Sequence, residues 1–128
     1  METQIALIVT PEAQTQRIEF TRENSLKKFQ TAVGGLIAPV SLTNYWEMYV
    51  NDEGILLGMK INPLASIIAT EANNLPEGQD YTIFGNAVFF GGVDKYGNSK
   101  GLSDNDLTTL EFLAKTASVK IQALLGEE

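Results

Sequence analysis

The chain has 128 residues, 44% of them hydrophobic and 20% charged, which is the balance of one globular domain around one core. Sixteen acidic against nine basic side chains leave a net charge of −7, which argues against general nucleic-acid binding and against docking on anionic lipid, since both draw on Lys and Arg. With no Cys and no His, disulfides, thiolate and imidazole metal sites, the Cys nucleophile and the usual near-neutral general base are all excluded, and the expectation is a non-enzymatic protein without metal or cofactor.

The start, Met-Glu-Thr-Gln, lacks the basic residues of a signal peptide, and no apolar run is long enough to span a bilayer, so a cytoplasmic protein is expected. Ile5 to Thr10 is a β-branched apolar run ended by Pro11, and Arg17 to Thr21 alternates polar and apolar. Together they predict a hairpin with a slightly long loop. Asn24 and Ser25 are N-cap residues before Leu26, Phe29, Gln30 and Val33, whose spacing predicts a short amphipathic helix ended by Gly34-Gly35. Leu36 to Leu42 reads as a strand, and Pro39, which lacks an N–H, places it at an edge or a bulge.

Tyr45 to Val50 alternates with aromatic residues and predicts a strand. Asn51-Asp52-Glu53-Gly54 has turn chemistry, and Ile55 to Met59 reads as the returning partner strand. Asn62-Pro63 then opens a helix over Leu64 to Thr70, Asn as cap and Pro at the first helical position. Asn73 to Gly78 is a loop. Tyr81 to Phe90 is the longest strand-like run, with Gly85 marking a bulge or the close approach of another backbone. Gly91 to Gly101 is a glycine-rich, flexible stretch, after which Ser103 to Asp106 caps a long helix to about Leu125. Its Leu107, Leu110, Ala114, Ala117, Ile121 and Leu124 step by three and four, with Leu113 and Leu125 widening the stripe and Phe112 off it. Residues 1–128 thus read as a single α+β domain, a mainly antiparallel sheet with two short helices and one long amphipathic C-terminal helix. A stripe this wide on a small domain predicts a homo-oligomer, a dimer or higher.

Val33-Gly34-Gly35, Val50-Asn51-Asp52-Glu53-Gly54, Gly58, Asn62 with Ala65, and Ile83-x-Gly85 before Val88-Phe89-Phe90-Gly91 carry a resemblance. Over Leu26 to Gly92, about half the chain, the sequence resembles a widespread family of small domains of unknown function from phages, plasmids and other mobile elements. Its members share Val-Gly-Gly, Asn-Asp/Glu-Glu-Gly, Asn-Arg and a Gly before an apolar strand. This chain has Pro63 where the family often has Arg. The resemblance implies a mobile-element accessory protein. Small phage proteins without catalytic residues often counter host defence, and the more distant comparison is with anti-Thoeris sponges, which hold cyclic ADP-ribose-like messengers at a dimer interface.

Four candidate sites follow. In the Gly91–Gly101 loop, Lys95 and Lys100 would meet phosphate, Tyr96 or Phe90 would stack on a base, Asn98 would read an edge, and Ser99 completes the polar set. An ordinary mobile loop has the same composition. Asp52 and Glu53, with Asp94, could hold Mg²⁺ in an enzyme, but a hairpin turn asks for the same residues. The aromatic set Tyr45, Trp46, Tyr49, Phe84, Phe89 and Phe90 could floor a pocket or fill the core. The seam of the last helix, flanked by Lys115 and Lys120, is core or a dimer face. The leading expectation is an accessory protein that sequesters a cyclic-nucleotide-type signal. The alternative is a protein–protein inhibitor that acts on a host protein through an acidic surface.

Overall fold

An apolar run is accommodated in a strand only where both faces are covered, and two such runs, Ala6–Val9 and Ala87–Phe90, stand side by side in the middle of this molecule. The computed structural model describes residues 3–42, 46–73, 76 and 78–126, with side chains in the last stretch as far as Lys120 and at Ala123. Its elements are β1 (Gln4–Val9), β2 (Thr15–Phe20), α1 (Ser25–Val33), β3 (Ile37–Ser41), β4 (Glu47–Asn51), α2 (Pro63–Ala72), β5 (Ala87–Phe90) and α3 (Asp104–Gly126). The sheet order is β2-β1-β5-β4-β3, with every neighbouring pair antiparallel. The α+β class and the three helices agree with the sequence reading.

Strand alternation assigns the two faces. Ala6 and Ile8 of β1, Val88 and Phe90 of β5, and Phe20 pack under Phe29, Ala32 and Val33 of α1. Leu7 and Val9, Ala87 and Phe89, and Met48 pack under Leu64, Ala65 and Ala69 of α2 and Leu107, Leu110 and Ala114 of α3. The α1 face is aromatic: Phe90 lies 4.6 Å from Tyr49 and 5.5 Å from Phe29, which meets Phe20 edge-on at 5.0 Å. The α2/α3 face is mainly aliphatic. Full burial of each such side chain stabilises the fold by roughly 1.5–3 kcal/mol.

Helix ends follow their local chemistry. Gly34 takes φ +78° and its N–H donates to the Gln30 and Thr31 carbonyls, closing α1. Asn62 caps α2, its Oδ1 accepting from Ala65 N at 3.1 Å with Pro63 at the first turn. Ser103 Oγ accepts from Asp106 N at the start of α3. Asn24, expected to cap α1, accepts instead from Thr21 N at 2.7 Å, tightening the connection before the helix.

Two strand expectations are corrected. Ile55–Met59 is not a strand. Residues 52–58 form consecutive turns, with Leu57 N donating to Glu53 O and Met59 N to Gly54 O. The reason is topological: β4 is flanked by β3 and β5, so neither of its edges is free for the returning segment. The run Tyr81–Phe90 shortens to Ala87–Phe90, with an isolated bridge from Phe84 to Ile61. Gly85 breaks it at φ +80°, donating to Lys60 O at 2.7 Å, the close backbone approach that a glycine there announces. Pro39 does lie on the edge strand β3. Leu107, Leu110 and Ala114 of the α3 seam are buried and Phe112 is exposed, as its spacing predicts. Tyr45, residues 74, 75 and 77 of the expected loop, and the side chains of Ile121, Leu124 and Leu125 lie outside the described residues.

Candidate functional site

The glycine-rich stretch after β5 is an ordered miniature hairpin. Gly91 N donates to Lys100 O and Lys100 N to Gly92 O, both at 2.8 Å, and Val93 bridges Ser99. Its tip is built by Asp94, whose Oδ1 accepts from Tyr96 N at 2.8 Å and Asn98 N at 3.0 Å. The Asn98 backbone bond, then the Tyr96 one, hold the Asp94 carboxyl below the usual carboxylate range, with Arg22 in the turn before α1 adding a smaller attraction. The hairpin is tied to β1 by Gly101 N donating to Gln4 Oε1 and Leu102 N to Ile5 O. A Cβ at Gly91 would run into the Gly101 carbonyl oxygen, and one at Gly101 would stand 2.8 Å from Ile5 N.

This geometry sorts the residues expected from sequence. Lys95 and Tyr96 share the tip, the ammonium 5.2 Å from the ring centroid, and Tyr96 is 76% exposed. Asn98, Ser99 and Lys100 lie on the returning arm with their backbone committed to the hairpin. Phe90 does not join them. It is 1% exposed, stacked between Tyr49 and Phe29, and cannot present a face to a ligand at the loop. The tip N–H groups that would cradle an anion point instead at the Asp94 carboxylate, whose charge opposes one.

Asp52, Glu53 and Asp94 are separated by the sheet. Asp52 follows the end of β4, whereas the strand leading to Asp94 ends at Phe90, paired with Glu47 at the opposite end of β4. Glu53 N donates to Asn51 Oδ1 at 2.7 Å, so the acidic turn is an Asx-turn. Among the described residues no group of three or more Asp or Glu side chains is placed to hold a metal ion.

The feature that sequence reasoning missed is a groove along the flank of α1. Phe29, Ala32 and Val33 pin this helix to the sheet, which sets Lys27, Lys28 and Thr31 on its sides. Between α1 and the β1–β2 pair opens a groove of about 520 Å³ with Ile8, Ile18 and Ala32 as its floor. Lys27, Lys28, Asn24, Gln16 and Asn86 form its polar walls. Through Thr31, Ala32 and Asn86 it runs into a second groove of about 490 Å³ that includes Lys60, Gln14 and Glu12. Asn86 Nδ2 donates to Ala32 O at 3.2 Å, which fixes the amide at the junction. Among the described residues the one ion pair is Arg17 with Glu111, on the other face of the sheet, so Lys27 and Lys28 are uncommitted. Arg17, Arg22, Lys27 and Lys28, four of the chain's nine basic residues, fall within β2, α1 and the turn between them. That cluster in an acidic chain was the signal available in sequence.

Fold and groove together define a small α+β domain, one antiparallel sheet between a single helix and a helix pair, with an apolar-floored, lysine-walled groove beside the single helix. The chain belongs to a family described as a domain of unknown function (DUF3846), whose model matches residues 1–115. This is consistent with the expected family of small domains of unknown function, and the match covers most of the chain. No curated protein and no solved structure matches it. Among the described residues no helix is long and apolar enough to cross a membrane.

Proposed function

We propose that this chain is a non-enzymatic binding protein that takes a small nucleotide-like anion into the groove beside α1. The observation that carries the reading is the pairing of Lys27 and Lys28, free of ion pairs among the described residues, with an apolar floor of Ile8, Ile18 and Ala32 and amide side chains at the walls. A nucleotide has the matching parts: phosphate for the ammonium groups, a flat ring for the apolar floor, and ring edges for Asn24, Gln16 and Asn86. The glycine hairpin, with Lys95, Tyr96, Asn98, Ser99 and Lys100, lines neither groove, so in this reading it is not the cradle. In the phage or mobile-element setting that the resemblance implies, such a protein would counter host defence by sequestering a cyclic-nucleotide-type signal, as a homo-oligomer in the host cytoplasm.

Isothermal calorimetry against a panel of cyclic and linear nucleotides, with inorganic phosphate as control, tests it. At least one nucleotide is expected to bind, and Lys27→Glu with Lys28→Glu is expected to weaken it by about 100-fold, or roughly tenfold for each charge-assisted contact removed. Substituting Lys95 and Lys100 should cost much less. Absence of binding by every nucleotide to folded protein sinks the reading, and so does binding that survives the Lys27/Lys28 double substitution.

A further inference from the structure

The turns at residues 52–58 leave three large apolar side chains in water, with Leu56 83%, Ile55 72% and Leu57 59% exposed. Beside them a groove of about 490 Å³ runs between the turn and the edge strand, over Ala38, Val40, Val50 and Phe84. A second groove of about 480 Å³ continues it along α2, past Ile61 and Ile67. The two meet at Tyr81 and Thr82, which line both. The result is one cleft on the α2 side of the molecule, with exposed apolar side chains in both of its halves. Scattered apolar residues on a surface need no explanation, but a continuous exposed run does.

Its walls carry charge of one sign. Asp52 and Glu53 line one groove, Glu71 and Asp80 the other, and no Lys or Arg lines either. A second copy of the chain would set these acids against their own kind. Strand addition at the neighbouring edge is also disfavoured, because Pro39 removes a donor from the middle of β3. A helix laid in the cleft needs no such donor.

We infer that this cleft docks a protein partner through an amphipathic helix with an apolar face and Lys or Arg along its flanks. The apolar face covers Ile55, Leu56, Ile61, Ile67 and Tyr81, and the basic flanks meet Asp52, Glu53, Glu71 and Asp80. This is a protein interface distinct from the lysine-walled groove, and neither depends on the other.

The test uses two labelled helical peptides with the same leucine face, one flanked by Lys and Arg and the other by Glu, titrated with the full chain by fluorescence anisotropy. The basic peptide is expected to bind about tenfold or more tightly than the acidic one, because like charges across an interface are strongly disfavoured. Its affinity should fall several-fold as ionic strength rises from about 0.01 to about 0.15 M, where charges more than about 8 Å apart become screened. Leu56→Lys should abolish the binding. The side chain is exposed, so the fold is expected to survive, and circular dichroism verifies that. Glu71→Lys with Asp80→Lys should remove the preference between the peptides while leaving the fold intact. Equal binding of the two peptides, binding of neither, or indifference to Leu56→Lys overturns the inference. A dimer in sedimentation that Leu56→Lys dissociates overturns it too, by showing that a second copy covers the cleft.

Discussion

Each face of the sheet is locked by one buried asparagine, and the two do their work in opposite ways. Asn51, on the α1 side, sits at the end of β4 and reaches back to the end of a helix: its Nδ2 donates to Val33 O at 3.0 Å while its Oδ1 accepts from Glu53 N. Gly35 is glycine because a Cβ there would stand 2.9 Å from that Nδ2. Asn62, on the α2 side, sits at the start of a helix and reaches across to strands: its Nδ2 donates to both Val9 O and Gly85 O at 2.9 Å, and its Oδ1 caps α2. They are the only buried polar side chains among the described residues. Together they fasten the two helix layers to the sheet. The difference teaches that Asn51 closes a local turn onto α1, whereas Asn62 joins three separate segments.

The sharpest way to break this comparison is to remove each amide in turn. Asn62→Ala removes three hydrogen bonds in a fully buried place, and a loss of about 3 kcal/mol is expected from chemical denaturation. Asn62→Asp should cost more near neutral pH, since a carboxylate cannot donate to Val9 O or Gly85 O and would be buried beside them. Asn51→Ala, with two bonds lost next to a turn, is expected to cost about half as much as Asn62→Ala. Equal costs would mean that the two asparagines are interchangeable clasps.

A second contrast between the faces lies in neighbouring phenylalanines. Phe89 and Phe90 are both fully buried on β5 but point to opposite sides. Phe90 joins the aromatic stack with Tyr49 and Phe29, whereas Phe89 packs among Leu7, Met48, Leu107 and Leu110. Aromatic pairs add roughly 0.5–1.5 kcal/mol beyond the area they bury. Phe90→Leu is therefore expected to destabilise by about 1 kcal/mol more than Phe89→Leu in thermal or urea unfolding. The reverse order would show that the aliphatic face is the less forgiving of shape change.

The legible parts of the fold are those decided by neighbours in sequence. Asn62-Pro63, Ser103 and Gly34 announce helix ends by their own backbone chemistry, and the spacing of Leu107, Leu110 and Ala114 announces the buried side of α3. What misled were features settled at a distance. Ile55, Leu56 and Leu57 have strand composition, but whether they pair depends on β5 arriving beside β4 from more than thirty residues later. Glycine content marks residues 91–101 as a loop, whereas the hairpin form is set by Asp94 and by the close approach of Gly91 and Gly101. The groove was half visible: Lys27 and Lys28 are plain in the sequence, but Ile8, Gln16 and Asn86 come from three other segments.

The smallest expected effect concerns the charged link between β2 and α3. Arg17 leaves the edge strand β2 towards α3 and pairs bidentately with Glu111, at 2.9 and 2.7 Å. The hydrogen bonds from Arg17 hold the Glu111 carboxyl below its ordinary range, and the same pair raises the Arg17 guanidinium, which stays charged throughout. A carboxyl whose folded pKa is depressed contributes stability above its unfolded pKa and loses it as pH falls through the folded pKa. Glu111→Gln should therefore be slightly less stable than the parent at neutral pH. The two should converge in acid, below the range where carboxylates titrate. Salt should narrow the gap as well, because Arg17 is exposed and the pair is screened. Urea unfolding of both proteins at neutral and acidic pH measures it. A gap that persists in acid would assign the role of Glu111 to packing on β2 rather than to charge. The contrast between the faces would then rest on the two asparagines and the aromatic stack alone.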